Sequence, residues 1–221
     1  MPDVPDPMRV DEGMGDGKDV ITIGDSYMNL SVGSGIEYSL DKVTPTKYRH
    51  YAVSGTQILN GQIPGQYTSA KAANPDIKTV VMTGGGNDII LDFFGNLINC
   101  QGAKTEADLK PACVTALDKI SAGVDKLIAE MAADGVKDVV YVGYGFVTSN
   151  ELGGTIQRTI RVQMEKCLDN SATLRLRCHF VDPSQQLIGM IGADGIHPTV
   201  AGYDVIANMV WKRMQEEGVR R

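Results

Sequence analysis

Five short apolar runs, separated by stretches of helical periodicity, constrain this sequence more than any other feature in it. They fall at residues 19–24, 47–53, 78–83, 137–142 and 179–182. Runs that are apolar along most of their length suit strands covered on both faces, and strands alternating with helices build a parallel sheet. Helices are expected over 27–40, over 63–73 before Asn74-Pro75, from Glu106 to a C-cap at Gly135, around 156–168, and over 199–217. The third is the clearest. Leu117, Ile120, Val124, Leu127, Ile128 and Met131 recur at three- and four-residue spacing, the single apolar stripe of a 3.6-period element. The expected architecture is an α/β fold: a flavodoxin-like three-layer α/β/α sandwich with a five-stranded parallel sheet in the order 2-1-3-4-5. A chain of 221 residues suffices for one such domain, placed here at 20–217. Residues 1–19, rich in proline, glycine and acids, read as a flexible arm.

In sheets of this kind ligands bind beyond the carboxyl ends of the strands, so those ends are where chemistry is sought. The first strand runs into Gly24-Asp25-Ser26. A serine in a tight strand-to-helix turn exposes its hydroxyl and sets its own N–H beside a helix N-terminus, which suits a nucleophile whose adduct carries an oxyanion. Gly-Asp-Ser alone is more often an ordinary helix cap. The second strand ends at Ser54-Gly55, where a glycine can turn its N–H toward a ligand or simply make a turn. The third ends at Gly84-Gly85-Gly86-Asn87-Asp88. The glycines let the Asn87 amide reach over the sheet edge, and no Lys-Ser/Thr follows them as a phosphate-binding loop requires.

Of three histidines, only His197 stands in a loop directly before a helix with a carboxylate, Asp194, three residues upstream. That spacing lets Asp194 accept from Nδ1 and leaves Nε2 free to take a proton. His50 and His179 are expected at strand starts, the opposite end of the sheet. Asp25 and Asp88 read as carboxylates that order their loops.

Taken together and in this order, these segments resemble the SGNH (GDSL-type) hydrolase family. Ile23-Gly24-Asp25-Ser26 resembles its first block, Val53-Ser54-Gly55 its second, Gly85-Gly86-Asn87-Asp88 its third and Asp194-Gly195-Ile196-His197-Pro198 its fifth. The second block departs from the family's usual Asn-x-Gly before Ser-Gly, with His50 and Ala52 in those places. The resemblance spans residues 20 to 212 and implies a serine hydrolase that needs no metal or cofactor. It makes Ser26 the nucleophile, His197 the base and then the acid, and Asp194 the residue that orients His197. The N–H groups of Ser26 and Gly55 and the Asn87 amide become the oxyanion hole. A serine hydroxyl is a weak nucleophile until a base takes its proton, which is why such a set is needed.

The implied activity is hydrolysis of carboxylic esters, small or polysaccharide-borne, through an acyl-Ser26 intermediate. Carbohydrate O-deacetylase, lysophospholipase and thioesterase activities are the alternatives within the family. A noncatalytic flavin- or ligand-binding α/β module is the alternative outside it. With only 6% aromatic residues and no apolar lid in the sequence, an open groove of small residues and short acyl chains are expected. The segment between Cys100 and Cys113 and the loop 143–154 are the expected specificity elements.

Composition narrows the partners. Twenty-seven acidic against 21 basic residues, a net charge of −6, disfavour nucleic acid, whose recognition needs a basic surface. No apolar run approaches the roughly 20 residues of a membrane span. The first residues show no basic segment followed by an apolar one, so no leader peptide is expected in the chain as it stands. Four cysteines fall as two local pairs, Cys100 with Cys113 and Cys167 with Cys178. Without CxxC spacing or a neighbouring histidine, a zinc site is not expected. Two disulfides and an oxidising compartment, periplasmic or extracellular, are expected; four buried thiols are the alternative.

Overall fold

The structure is a computed structural model and describes residues 17–92, 95–146 and 152–219. Five strands alternate with helices: β1 (Gly17–Ile23), α1 (Ile36–Val43), β2 (Tyr48–His50), α2 (Gln62–Ala73), β3 (Thr79–Met82), α3 (Asn87–Ile90), α4 (Asn96–Cys100), α5 (Pro111–Ala133), β4 (Asp138–Val142), α6 (Gly153–Thr173), β5 (Arg177–Val181) and α7 (Val200–Glu216). All pairings are parallel and the strand order is β2-β1-β3-β4-β5, as the sequence led us to expect.

Alternation along each strand splits the core in two. Ile21, Ile23, Val80, Met82, Val139 and Tyr141 face one layer, where α2, α5 and α6 add Ile63, Leu127, Met131 and Cys167. Val20, Val81, Val140 and Val142 face the other, against Ile36 and Leu40 of α1 and Ile206, Val210 and Met214 of α7. Both expected disulfides are present, Cys100–Cys113 and Cys167–Cys178. Closing loops of 13 and 11 residues, each contributes about 3 kcal/mol on chain-entropy grounds.

Several elements differ from expectation. β1 begins at Gly17, two residues earlier than expected. The first helix begins at Ile36, not Tyr27. Residues 27–35 instead fold back in a loop in which Ile36 N–H donates to Tyr27 O and Glu37 N–H to Met28 O. Gly35 makes this possible: its φ is 142° and a Cβ there would lie 2.3 Å from Met28 O. β2 covers only Tyr48–His50, although Tyr51 and Val53 N–H still bond to Thr22 and Gly24 carbonyls. The helix expected from Glu106 is a 3₁₀ turn closed by a Thr105–Asp108 capping box, and α5 starts afresh at Pro111. Proline suits a first helical turn, where its missing N–H costs nothing.

His50 is the last residue of β2 and His179 lies inside β5, so neither is at a strand start. His179 bonds Asp138 at 3.0 Å. His50 lies 3.4 Å from Asp41 and 3.9 Å from Glu37, whose other oxygen accepts from Thr22 at 2.9 Å. Burial, only partly countered by His50 and Thr22, raises the Glu37 carboxyl from 4.5 to about 7. Burial disfavours charge on His50, but Glu37 and Asp41 outweigh it and raise that ring too.

The folded chain therefore holds a proton on Glu37 that the unfolded chain releases near 4.5. Stability from this cluster is fullest below that value, declines as pH rises toward 7, and stays low above it. The raised His50 works in the same direction. Glu37→Gln is expected to add more to the melting temperature at about pH 8 than at about pH 5. Equal shifts at the two pH values would contradict this.

Candidate active site

The site forms where β2, β1 and β3 end side by side. Gly24 carries the chain out of β1 with φ 144°, and a Cβ there would meet Thr83 Oγ1 at 2.2 Å. Only glycine allows the ends of β1 and β3 to come this close. Buried Gln66 of α2 clamps the same peptide: Gly24 N–H donates to its Oε1 at 2.7 Å, and its Nε2 donates to Gly24 O at 3.0 Å. Asp25 turns inward and orders the loop, as expected of it. Its Oδ1 accepts from Tyr27 N–H and the Thr83 hydroxyl, and its Oδ2 accepts from the Tyr144 hydroxyl. Ser26 is thus held on a turn fixed from three sides.

His197 arrives from the loop before α7. Its Nε2 lies 2.8 Å from Ser26 Oγ and its Nδ1 lies 2.6 Å from Asp194 Oδ2. The structure therefore joins the three residues that the sequence singled out, across 171 positions. Asp194 Oδ1 also accepts from the N–H groups of Ile196 and His197, both at 2.9 Å. Partial burial opposes its charge, but these bonds and the His197 ring outweigh it and hold the carboxyl at about 2. Asp194 is thus an anion throughout the neutral range, and Nδ1 is kept as the protonated ring nitrogen.

Two tyrosines fasten the histidine loop to the serine turn. Tyr27 hydroxyl donates to Ile196 O at 2.9 Å with its ring 6.2 Å from that of His197, and Tyr203 of α7 donates to Ser26 O at 3.3 Å.

Asn87 opens α3, and its Nδ2 donates to Thr56 O at 3.1 Å. One amide hydrogen is used there, and among the described residues the second has no acceptor. Asp88 accepts from Ile58 and Leu59 N–H at 2.9 and 2.8 Å, so the loops after β2 and β3 are tied together. Gly55 lies exposed on the first of these loops with φ 82°. Among the described residues, neither the Ser26 nor the Gly55 N–H donates a hydrogen bond.

An open cleft lies beside Ser26 and Asn87, with Gly55 outside its lining. The sequence suggested an open groove of small residues. Glycines 85, 86 and 145 do line it, but so do Ile89, Ile90, Leu152, Ile156, Ile160 and Tyr144. The α6 part of this wall is buttressed by the Cys100–Cys113 segment. Gly154 N–H donates to Ala103 O at 2.9 Å and Thr155 Oγ1 to Cys100 O at 3.0 Å. A Cβ on Gly154 would lie 2.1 Å from Thr105 O, so glycine sets this approach. Of the loop 143–154, residues 147–151 lie outside the described residues.

Sequence reasoning missed Tyr27, Gln66, Thr83, Tyr144 and Tyr203. Only Tyr27, next to Ser26, carried a local hint. The others act over separations of 42 to 177 residues, which no local pattern records.

The chain resembles solved structures across most of its length. A GDSL-like lipase from Bacteroides thetaiotaomicron is 14% identical, with 91% of this chain and 89% of that one covered at a TM-score of 0.60. An acetyl xylan esterase is 18% identical, with 87% and 98% covered at 0.59. An extracellular lipase from Streptomyces rimosus is 18% identical, with 87% and 99% covered at 0.57. At such identities these likenesses establish the fold alone. No curated protein matches the chain. The profile of the GDSL-like lipase/acylhydrolase family matches residues 22–205, more than four-fifths of the sequence, and by that match the chain belongs to this family.

Proposed function

We propose that the protein hydrolyses carboxylic esters through an acyl-Ser26 intermediate. The observation that carries this reading is the continuous hydrogen-bonded row from Ser26 Oγ through His197 to Asp194 at the mouth of an apolar cleft. His197 Nε2 takes the Ser26 proton as Oγ attacks the ester carbonyl. The carbonyl oxygen becomes an anion, received by the N–H groups of Ser26 and Gly55 and the free hydrogen of the Asn87 amide. Collapse of this adduct breaks the ester C–O bond, and His197 gives its proton to the departing alcohol. Water then attacks the acyl-serine, with His197 taking its proton. As the acyl C–O bond breaks, His197 returns that proton to Ser26 Oγ and the acid is released. Asp194 remains ionised throughout and stabilises the imidazolium without taking its proton.

The cleft supports an acyl group longer than acetyl. Its large side chains, those of Ile89, Ile90, Leu152, Ile156 and Ile160, are apolar and line the cleft next to Ser26. Each buried methylene contributes about 0.8 kcal/mol, close to fourfold in kcat/KM. Extending p-nitrophenyl acetate to the hexanoate is therefore expected to raise kcat/KM on the order of 100-fold. Steady-state assays across a p-nitrophenyl ester series, run beside acetylated xylan, test this. Release of acetate from xylan outpacing every simple ester would move the reading to carbohydrate deacetylation. Absence of Ser26-dependent turnover on all of them would overturn it.

Two disulfides, with no helix among the described residues long and apolar enough to cross a membrane, support a periplasmic or extracellular setting.

A further inference from the structure

We propose that the Tyr144 hydroxyl is a positioning group of this site, fixing the separation between the serine turn and the Asn87 loop by bonding to both. The inference rests on the roles proposed for Ser26 and Asn87. Tyr144 follows β4, and the strand order puts β3 between β4 and β1. Its side chain therefore crosses the end of β3 to reach the serine turn. Tyr144 Oη donates to Asp25 Oδ2 at 2.5 Å and accepts from Gly86 N–H at 3.1 Å. Asp25 immediately precedes Ser26, and Gly86 immediately precedes Asn87. One oxygen atom is thus bonded to the residue before the nucleophile and to the residue before the oxyanion donor.

The surroundings are shaped to hold that oxygen in place. The Tyr144 ring packs edge-on against Tyr27, with centroids 4.8 Å apart. A Cβ on Gly86 would approach Tyr144 Cζ to 3.0 Å, so a side chain there would push the ring away. Burial foremost, and then the Asp25 carboxylate, raises the Tyr144 hydroxyl well above its ordinary value, so it keeps its proton and donates. Asp25 is 2% exposed and has no solvent to replace a lost donor. Removing this oxygen leaves Gly86 N–H without an acceptor and takes away the direct bridge between Asp25 and Gly86, so that the spacing rests on the Thr83 and Thr56 bonds. Displacement of catalytic groups by about 1 Å costs on the order of 100-fold in rate.

Tyr144→Phe keeps the ring and removes only the bridge. Steady-state kinetics on the best ester should show kcat reduced about 10- to 100-fold with KM within about twofold of wild type. In an Asn87→Ala background the same change should cost less than about threefold, because the donor it positions is gone. Gly86→Ala displaces the ring from the other side and should reproduce the kcat loss, which gives a second reading if Tyr144→Phe fails to fold. Unchanged kcat, a rise in KM alone, or a full additive loss in the Asn87→Ala background would overturn the proposal. Wild-type protein without Ser26-dependent turnover would instead overturn the ester-hydrolase reading beneath it.

Discussion

Ser26→Ala is expected to fold with near wild-type stability and to lose ester turnover by about 10⁴-fold or more. The side chain is small, and its Oγ is bonded to the His197 ring, which is itself partly open to solvent. Its removal therefore leaves neither a large cavity nor a buried unpaired group, and the fold has little to lose. Chemistry loses its only bond-forming atom on the proposed path, while the amide donors and the apolar cleft remain to bind substrate. The loss should therefore fall on kcat with KM little changed. Thermal unfolding measured beside steady-state kinetics on the same preparation separates the two effects. Turnover near the wild-type level would sink the role given to Ser26.

The second large effect is expected at Asn87. Its amide is well placed for a donor: Nδ2 gives one hydrogen to Thr56 O, which fixes the plane of the group and leaves the other hydrogen directed elsewhere. A donor held in advance needs no reorganisation when the oxyanion forms, and loss of one such group costs about 10²–10³-fold in kcat. Asn87→Ala should show that loss with KM nearly unchanged, since the ground-state carbonyl makes the bond only weakly. Asn87→Asp keeps the size but substitutes an acceptor for a donor, and should be at least as damaging. A change of less than about threefold in kcat for either variant would remove Asn87 from the oxyanion site.

Much of the fold is legible in the sequence because it is written in local patterns. Apolar strands such as Val80–Val81–Met82, flanked by amphipathic helices such as that of Leu117 to Met131, fix a doubly covered parallel sheet. The helix expected from Tyr27 gives way to a loop over 27–35, where Asn29, Ser31, Gly33, Ser34 and Gly35 are weak helix formers and Gly35 packs on Met28 O. Pro111, a starter of helices, marks the true beginning of α5 inside a run that otherwise reads as one helix. His50 closes β2 rather than opening it because β2 spans only Tyr48–His50, although Tyr51 and Val53 continue the backbone bonding to the β1 segment.

The candidate site follows the same division. Ser26, Asn87, Asp194 and His197 stand out because each sits in a strand-end or pre-helix turn with a recognisable neighbour. The groups that hold them were invisible. Gln66 on the Gly24 peptide, Thr83 and Tyr144 on Asp25, and Tyr203 on Ser26 O are tertiary hydrogen bonds between distant segments. The cleft wall is of the same kind. Ile156 and Ile160 read as an ordinary apolar helix face, and only docking of α6 on the Cys100–Cys113 segment directs them to the cleft beside Ser26.

The central claim is that Ser26 is a nucleophile activated by His197. Incubation of the purified protein with a fluorophosphonate probe, followed by intact-mass measurement and peptide mapping, tests it most directly. The account predicts one adduct per chain, carried by Ser26 and formed far more slowly in His197→Ala. A protein that remains unmodified, or an adduct on any other residue, would contradict it.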